Sequence, residues 1–297
     1  MHTAVPAAPT VTIRSALFDP AQTAQSVLGL DVGRDRFRFL VQNARGQGCS
    51  LEDFAFPSLL TDHAPTDVLP GLFRDHPVLA AGPWQDVRIS VSSPSFTLVP
   101  QPLFRKEYGA SYLSLLRGSA LPAHEFAQTL AHPAEGFVSV FALEHALVDF
   151  LSVTYPLQPL TFVHQTSALL QATRALSRQS LAEHGLWLYF EDEFVTLIHR
   201  TNGQLQLCNR FGYRNASDLA YYVLYVLDEQ KLQPDAVRVE LYGEITPFAD
   251  IYVELSRFLP NVAFGTVPPG LSLTPDFDDL PEHRYLSLYG LSLLSES

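Results

Sequence analysis

One pattern of segments occurs twice in this chain, and no other feature of the sequence constrains its fold as much. From Gln25 to Asn43, Ser26-Val27-Leu28-Gly29-Leu30-Asp31 runs into Val32-Gly33-Arg34-Asp35 and out through Arg36-Phe37-Arg38-Phe39-Leu40-Val41. Two β-rich segments around a glycine-containing turn read as a hairpin. The turn Asn43-Ala44-Arg45-Gly46 leads to a third strand over Ser50 to Phe56. The pattern returns at Gly185-Leu186-Trp187-Leu188-Tyr189-Phe190, turns at Glu191-Asp192-Glu193, continues over Phe194 to Arg200, turns at Asn202-Gly203, and ends with Gln204 to Phe211. The two stretches share element order, not sequence, so the duplication is architectural.

After each meander, helices alternate with strands. In the first half the pattern predicts a helix around Val68 to Phe73, strands over Asp86 to Val91 and Phe96 to Pro100, and a helix from Pro102 to Leu116. A short strand over Gly136 to Phe141, a helix over Leu143 to Tyr155, a strand over Leu160 to His164 and a long helix from Thr166 to Glu183 follow. In the second half, a helix over Ser217 to Gln230 has Asp218 near its start, where a carboxylate suits the exposed N–H groups. A strand over Val237 to Tyr242 breaks at Gly243 before a helix from Pro247 to Phe258. With 297 residues, the chain exceeds the usual size of one hydrophobic core. The expected organisation is a leader over 1–24, a first lobe over 25–184 and a second over 185–297, an α/β protein in two lobes.

The formal charge is −12, and only Lys106 and Lys231 among nineteen basic residues are lysines. Nucleic acid requires a contiguous basic face, and this balance argues against it as a partner. The nearest approach to such a face is Arg34, Arg36 and Arg38, which alternate as on one side of a strand; a strand face paired with acids is the reading favoured over an anion site. Cys49 and Cys208 are far apart in sequence and outside any CxxC pattern, which fits structural thiols in a reducing compartment. No stretch reads as a signal peptide or membrane span, so a cytoplasmic location is expected.

Leu28-Gly29-Leu30-Asp31-Val32-Gly33 resembles the first phosphate loop of the actin-like superfamily of sugar and acetate kinases, heat-shock chaperones and actin. That resemblance implies a duplicated, ribonuclease H-like fold in which Gly33 admits phosphate to backbone N–H groups and Asp31 helps hold hydrated Mg²⁺. The superfamily usually continues with small hydroxyl residues, where this chain has Arg34 and Asp35. At the second phosphate loop Asp192 is flanked by Glu191 and Glu193 in place of several glycines, and at the adenosine site Gly243 stands where two glycines are common. More closely, Thr97-Leu98-Val99-Pro100 with Leu103-Phe104, Tyr112-Leu113, Asn209-Arg210-Phe211 through Asp218 with Tyr221-Tyr222, and Leu241-Tyr242-Gly243-Glu244-Ile245 resemble an uncharacterised Bacteroidota family of unknown function. The resemblance spans roughly 25–290, implies the actin-like fold, and supplies no catalytic residues.

Other candidate chemistry reads as structural. Ten histidines include no HExxH and no His/Cys/Asp cluster, so no metal site is expected. His145 and His164 read as packed or capped side chains, Asp86 as a turn acid, and Ser92, Ser93 and Ser95 lack a nucleophile elbow. Tyr221 and Tyr225 share a helix face; core packing against the sheet is the reading favoured for them, and a partner-binding face is the alternative. Tyr285, Leu286, Leu288 and Tyr289 are expected to close the sheet or dock on a second copy, so a homo-oligomer is open. The reading that results is a non-catalytic binding or scaffolding protein with a degenerate nucleotide cleft, a protein partner and no required cofactor. The alternative is an ATP-dependent enzyme or nucleotide switch that uses Asp31 and Gly33, with Asp192 and Gly243, for Mg-ATP.

Overall fold

The structure, a computed structural model, describes residues 8–56, 65–191 and 193–294. Backbone contacts divide the chain into one unit of Met1–Ala168 with Leu271–Asp278 and another of Leu169–Gly270 with Asp279–Ser297.

The first unit contains β1 (Val11–Arg14), β2 (Val27–Val32), β3 (Arg36–Gln42), β4 (Gln47–Ala55), α1 (Pro65–Phe73), β5 (Asp86–Val91), β6 (Phe96–Pro100), α2 (Gly109–Arg117), β7 (Glu125–His132), β8 (Phe137–Glu144), α3 (His145–Thr154) and β9 (Leu160–His164). Its main sheet has the order β1-β4-β3-β2-β5-β9. The meander β2-β3-β4 is antiparallel, while β5 and β9 add in parallel beside β2. β2 lies at the centre, which is why its sequence is a nearly continuous apolar run rather than an alternating one. Leu28, Leu30, Phe37, Phe39, Ile89, Leu69 and Leu151 join one core with the helices. A separate antiparallel sheet, β6-β8-β7, packs Val99, Val138 and Val140 against Leu113 of α2.

α4 (Gln165–Gln179) contains the division between the units. The second unit continues with β10 (His184–Phe190), β11 (Phe194–Thr201), β12 (Gln204–Gly212), α5 (Ala216–Glu229), β13 (Val237–Gly243), α6 (Asp250–Phe258) and β14 (Val262–Phe264). Its sheet order is β12-β11-β10-β13-β14, again an antiparallel meander followed by two parallel strands. β15 (Ser272–Leu273) pairs with β4 of the first unit, and α7 (Leu286–Ser292) belongs to the second. The meander-then-parallel order β4-β3-β2-β5-β9 thus recurs as β12-β11-β10-β13-β14, and the architectural duplication holds.

Several elements differ from the sequence reading. The helix expected over 102–116 is two short 3-10 turns followed by α2, because Phe104 and Arg105 are extended. α2 ends at Gly118, whose left-handed φ of 69° suits a helix stop. β8 runs on to Glu144 and α4 stops at Gln179. β7 was not anticipated: it is an edge strand whose half-buried Glu-Phe-Ala-Gln-Thr-Leu-Ala-His lacks a clean alternation. β1 forms within the stretch read as a leader. Tyr285, Leu286, Leu288 and Tyr289 are buried at or within α7 and so offer no surface to a second copy. Tyr189 of β10 and Ser287 of α7 share a hydrogen bond at 3.0 Å.

Candidate functional site

The Asp-x-Gly turn lies at the end of β2, and strand register decides what surrounds it. Asp31 is opposite Ser90 on β5 and Arg38 on β3, and Arg38 is opposite Asp53 on β4. Residues in register across neighbouring strands share a face, so Ser90, Asp31, Arg38 and Asp53 form one polar rung across four strands. All four are buried. Ser90 Oγ donates to Asp31 Oδ1 at 2.8 Å, while Arg38 is 3.8 Å from Asp31 Oδ2 and 3.4 Å from Asp53 Oδ1. Arg36 reaches Asp53 at 3.3 Å from the same side.

The Asp31 carboxylate therefore already has a hydroxyl donor and a guanidinium beside it. The turn is closed in the same way, since Gly33 N–H donates to the Arg36 carbonyl at 2.8 Å and completes the hairpin. Arg34 lies in the turn and not on the strand, so only Arg36 and Arg38 share the strand face expected for all three.

In the second sheet the rung that matches Asp31, one residue before the strand end, is Tyr242, Tyr189, Thr196 and Arg210, with no carboxylate in it, and the last rung is apolar. Gly243, Phe190, Val195 and Phe211 stand in register across β13, β10, β11 and β12. Gly243 adopts φ +85°, and a Cβ there would collide with the Phe190 carbonyl oxygen. Its N–H donates to the His283 carbonyl at 2.9 Å. Glycine is thus needed for backbone packing, whatever else the position does. At the second turn, Glu191 N–H donates to the Phe194 carbonyl, and Arg210 approaches the Glu191 carboxylate at 3.4 Å. Asp192 lies outside the described residues.

Tyr221 and Tyr225 are 64% and 49% exposed, with rings stacked at 6.2 Å. Core packing, the favoured reading for this pair, is overturned. The core face of α5 is instead Leu219, Val223, Val226 and Leu227, while Tyr222 stacks on Phe211 at 5.3 Å.

The remaining candidates are held by neighbours. His164 is buried: its Nδ1 accepts from the Thr166 backbone N–H and its Nε2 donates to the Ser93 carbonyl at 2.9 Å. His145 stacks on Phe126, and Asp86 Oδ2 accepts from Arg88 Nε at 2.8 Å. Cys49 and Cys208 are not joined in a disulfide, and burial pushes the Cys49 thiol up to about 11. Among the described residues no cluster of three or more His, Cys, Asp or Glu could hold a metal, and no helix is long and apolar enough to cross a membrane. Sequence reasoning missed Ser90 and Asp53 as partners of Asp31 and Arg38. The available signal was a charged residue inside each of three apolar strands.

Two sheets of the same meander-then-parallel order, with the Asp-x-Gly turn leaving the first strand of the first meander, define an actin-like fold. A protein from Bacteroides thetaiotaomicron with an actin-like ATPase fold and unknown function is similar at a TM-score of 0.76 and 18% identity, over 94% of this chain and all of that one. The PilM-PilN type IV pilus biogenesis complex contains a chain similar at a TM-score of 0.67 and 16% identity, over 90% of this chain and 97% of that one. The family described as protein of unknown function DUF3822 matches residues 15–262, and this chain belongs to it. No curated protein matches the sequence.

Proposed function

We propose that this is a non-catalytic binding or scaffolding protein, in which the residues of an actin-like phosphate site hold the protein's own strands together. The observation that carries this reading is the buried rung Ser90–Asp31–Arg38–Asp53. A carboxylate that is to hold hydrated Mg²⁺ needs oxygen atoms turned to water and metal, yet the oxygens of Asp31 face a serine hydroxyl and a guanidinium. The Gly33 and Gly243 amides donate inside the protein, which leaves them poorly suited to phosphate. These residues do not fit a Mg-nucleotide, so no step is assigned to one.

A protein partner is the accompanying proposal, and Tyr221 with Tyr225 is the surface it would use. Exposed tyrosines present large rigid area with a polar tip, the kind of side chain enriched where proteins meet. The similarity to a chain of a pilus biogenesis complex supports such a role through fold alone.

The deciding experiment is thermal unfolding with and without millimolar Mg²⁺ and ATP, ADP or GTP. The midpoint is expected to stay unchanged. A ligand present at about a hundred times its Kd would add roughly 2.7 kcal/mol and raise it by several degrees. A rise that depends on the metal would favour the nucleotide-switch reading instead.

A further inference from the structure

Within the first unit, a cavity of about 350 Å³ opens beside the Gly33 turn. It lies at the carboxyl ends of β2 and β5, the edge where open α/β sheets commonly take ligands. Val32, Val91, Ala142, Leu143 and Leu147 supply apolar lining, while Glu125 and Glu144 supply two carboxylates. The volume is at the lower end of the range of about 300–1,000 Å³ typical of small-ligand pockets.

The two acids are directly opposite each other in the β7–β8 register. Like charges in that relation destabilise a sheet, so their retention in a cavity wall calls for a compensating cation. Arg117 supplies one for Glu125 at 3.5 Å. Among the described residues the Glu144 carboxylate has no hydrogen bond or ion pair. Burial pushes Glu144 above the usual carboxylate range, His124 opposes that, and Glu125 and Asp67 add to it. Arg34 also lines the cavity, and the N-terminal end of α1 reaches it at Pro65 and Thr66.

We propose that this cavity binds a primary ammonium or guanidinium group carried on an aliphatic stem, with Glu144 as the receiving carboxylate and Val91, Leu143 and Leu147 along the stem. Such a group occurs on the lysyl or arginyl side chain of a protein segment and on free polyamines. The inference stands apart from the reading of the Asp31 rung, and either can fail without the other.

The test is calorimetric titration and thermal unfolding of the full chain with pentylammonium, 1-pentanol and hexanoate. Pentylammonium is expected to bind and the other two are not. Glu144→Gln, which relieves like-charge repulsion, is expected to fold at least as stably as the wild type. It is expected to weaken pentylammonium by about tenfold or more, the equivalent of one charge-assisted hydrogen bond. Binding of the amine should also fade as acid protonates Glu144. Tighter binding of Nα-acetyl-lysine amide than of spermidine would identify a protein segment as the source, and the reverse order a polyamine. Failure of pentylammonium to bind, equal binding of pentanol or hexanoate, or undiminished amine binding by Glu144→Gln would overturn the proposal.

Discussion

Replacing Asp31 by alanine separates a structural acid from a metal-holding one. The change leaves Ser90 Oγ, fully buried, without its acceptor, and an unsatisfied buried hydroxyl costs about 1–3 kcal/mol. Arg38, only 4% exposed, loses the Asp31 carboxylate and keeps Asp53 at 3.4 Å. Breaking a buried pair outright costs about 3–5 kcal/mol, so partial loss adds a fraction of that. Together these give an expected destabilisation of about 2–4 kcal/mol. Asp31→Asn keeps an oxygen for Ser90 and loses only the charge, so it should fall between alanine and wild type. Urea unfolding followed by fluorescence reads the difference as a lower midpoint at constant slope. An Asp31→Ala protein within about 0.5 kcal/mol of wild type, the usual range of an unconstrained surface change, would refute the reasoning.

Gly243→Ala is expected to destabilise the second unit by more than the roughly 1–2 kcal/mol of left-handed strain, because the new Cβ also meets the Phe190 backbone; chemical denaturation checks this. The double change Tyr221→Ser and Tyr225→Ser should leave stability within about 0.5 kcal/mol while abolishing partner crosslinking through a photoreactive residue at position 224; retained crosslinks would remove this face from consideration. His199 and His283 are both held below the ordinary histidine value, mainly by burial. The stability they contribute is full above about pH 6.5 and is lost as pH falls through their depressed values, so His199→Gln should flatten the acid side of a stability–pH curve.

Much of the fold was legible because its signals are local. The run Val27 to Val32, the glycine-containing turn and the alternation over Gln204 to Phe211 each prescribe a strand or hairpin within a few residues, and their order prescribes the duplication. β7 escaped because an edge strand half-open to water needs no strict alternation. The helix over 102–116 was overextended because helical spacing of Leu103, Phe104, Leu113 and Leu116 says nothing of the extended backbone at Phe104 and Arg105.

The candidate site divides along the same line. Asp31, Gly33 and Gly243 were visible as residues, and their departures from a phosphate-binding pattern were visible beside them. Their present partners were not, since Ser90 lies 59 positions from Asp31 and meets it only through the parallel pairing of β2 with β5. The exposure of Tyr221 and Tyr225 was equally undecided, because an aromatic pair on one helix face is compatible with core or surface until the sheet takes another face. Sequence by itself determined the strands, turns and their repeated order, since backbone sterics and hydrophobic period act over neighbouring residues. Tertiary structure alone decided which charges meet, which rings remain in water and where the cavity opens, since those depend on register between strands far apart in the chain.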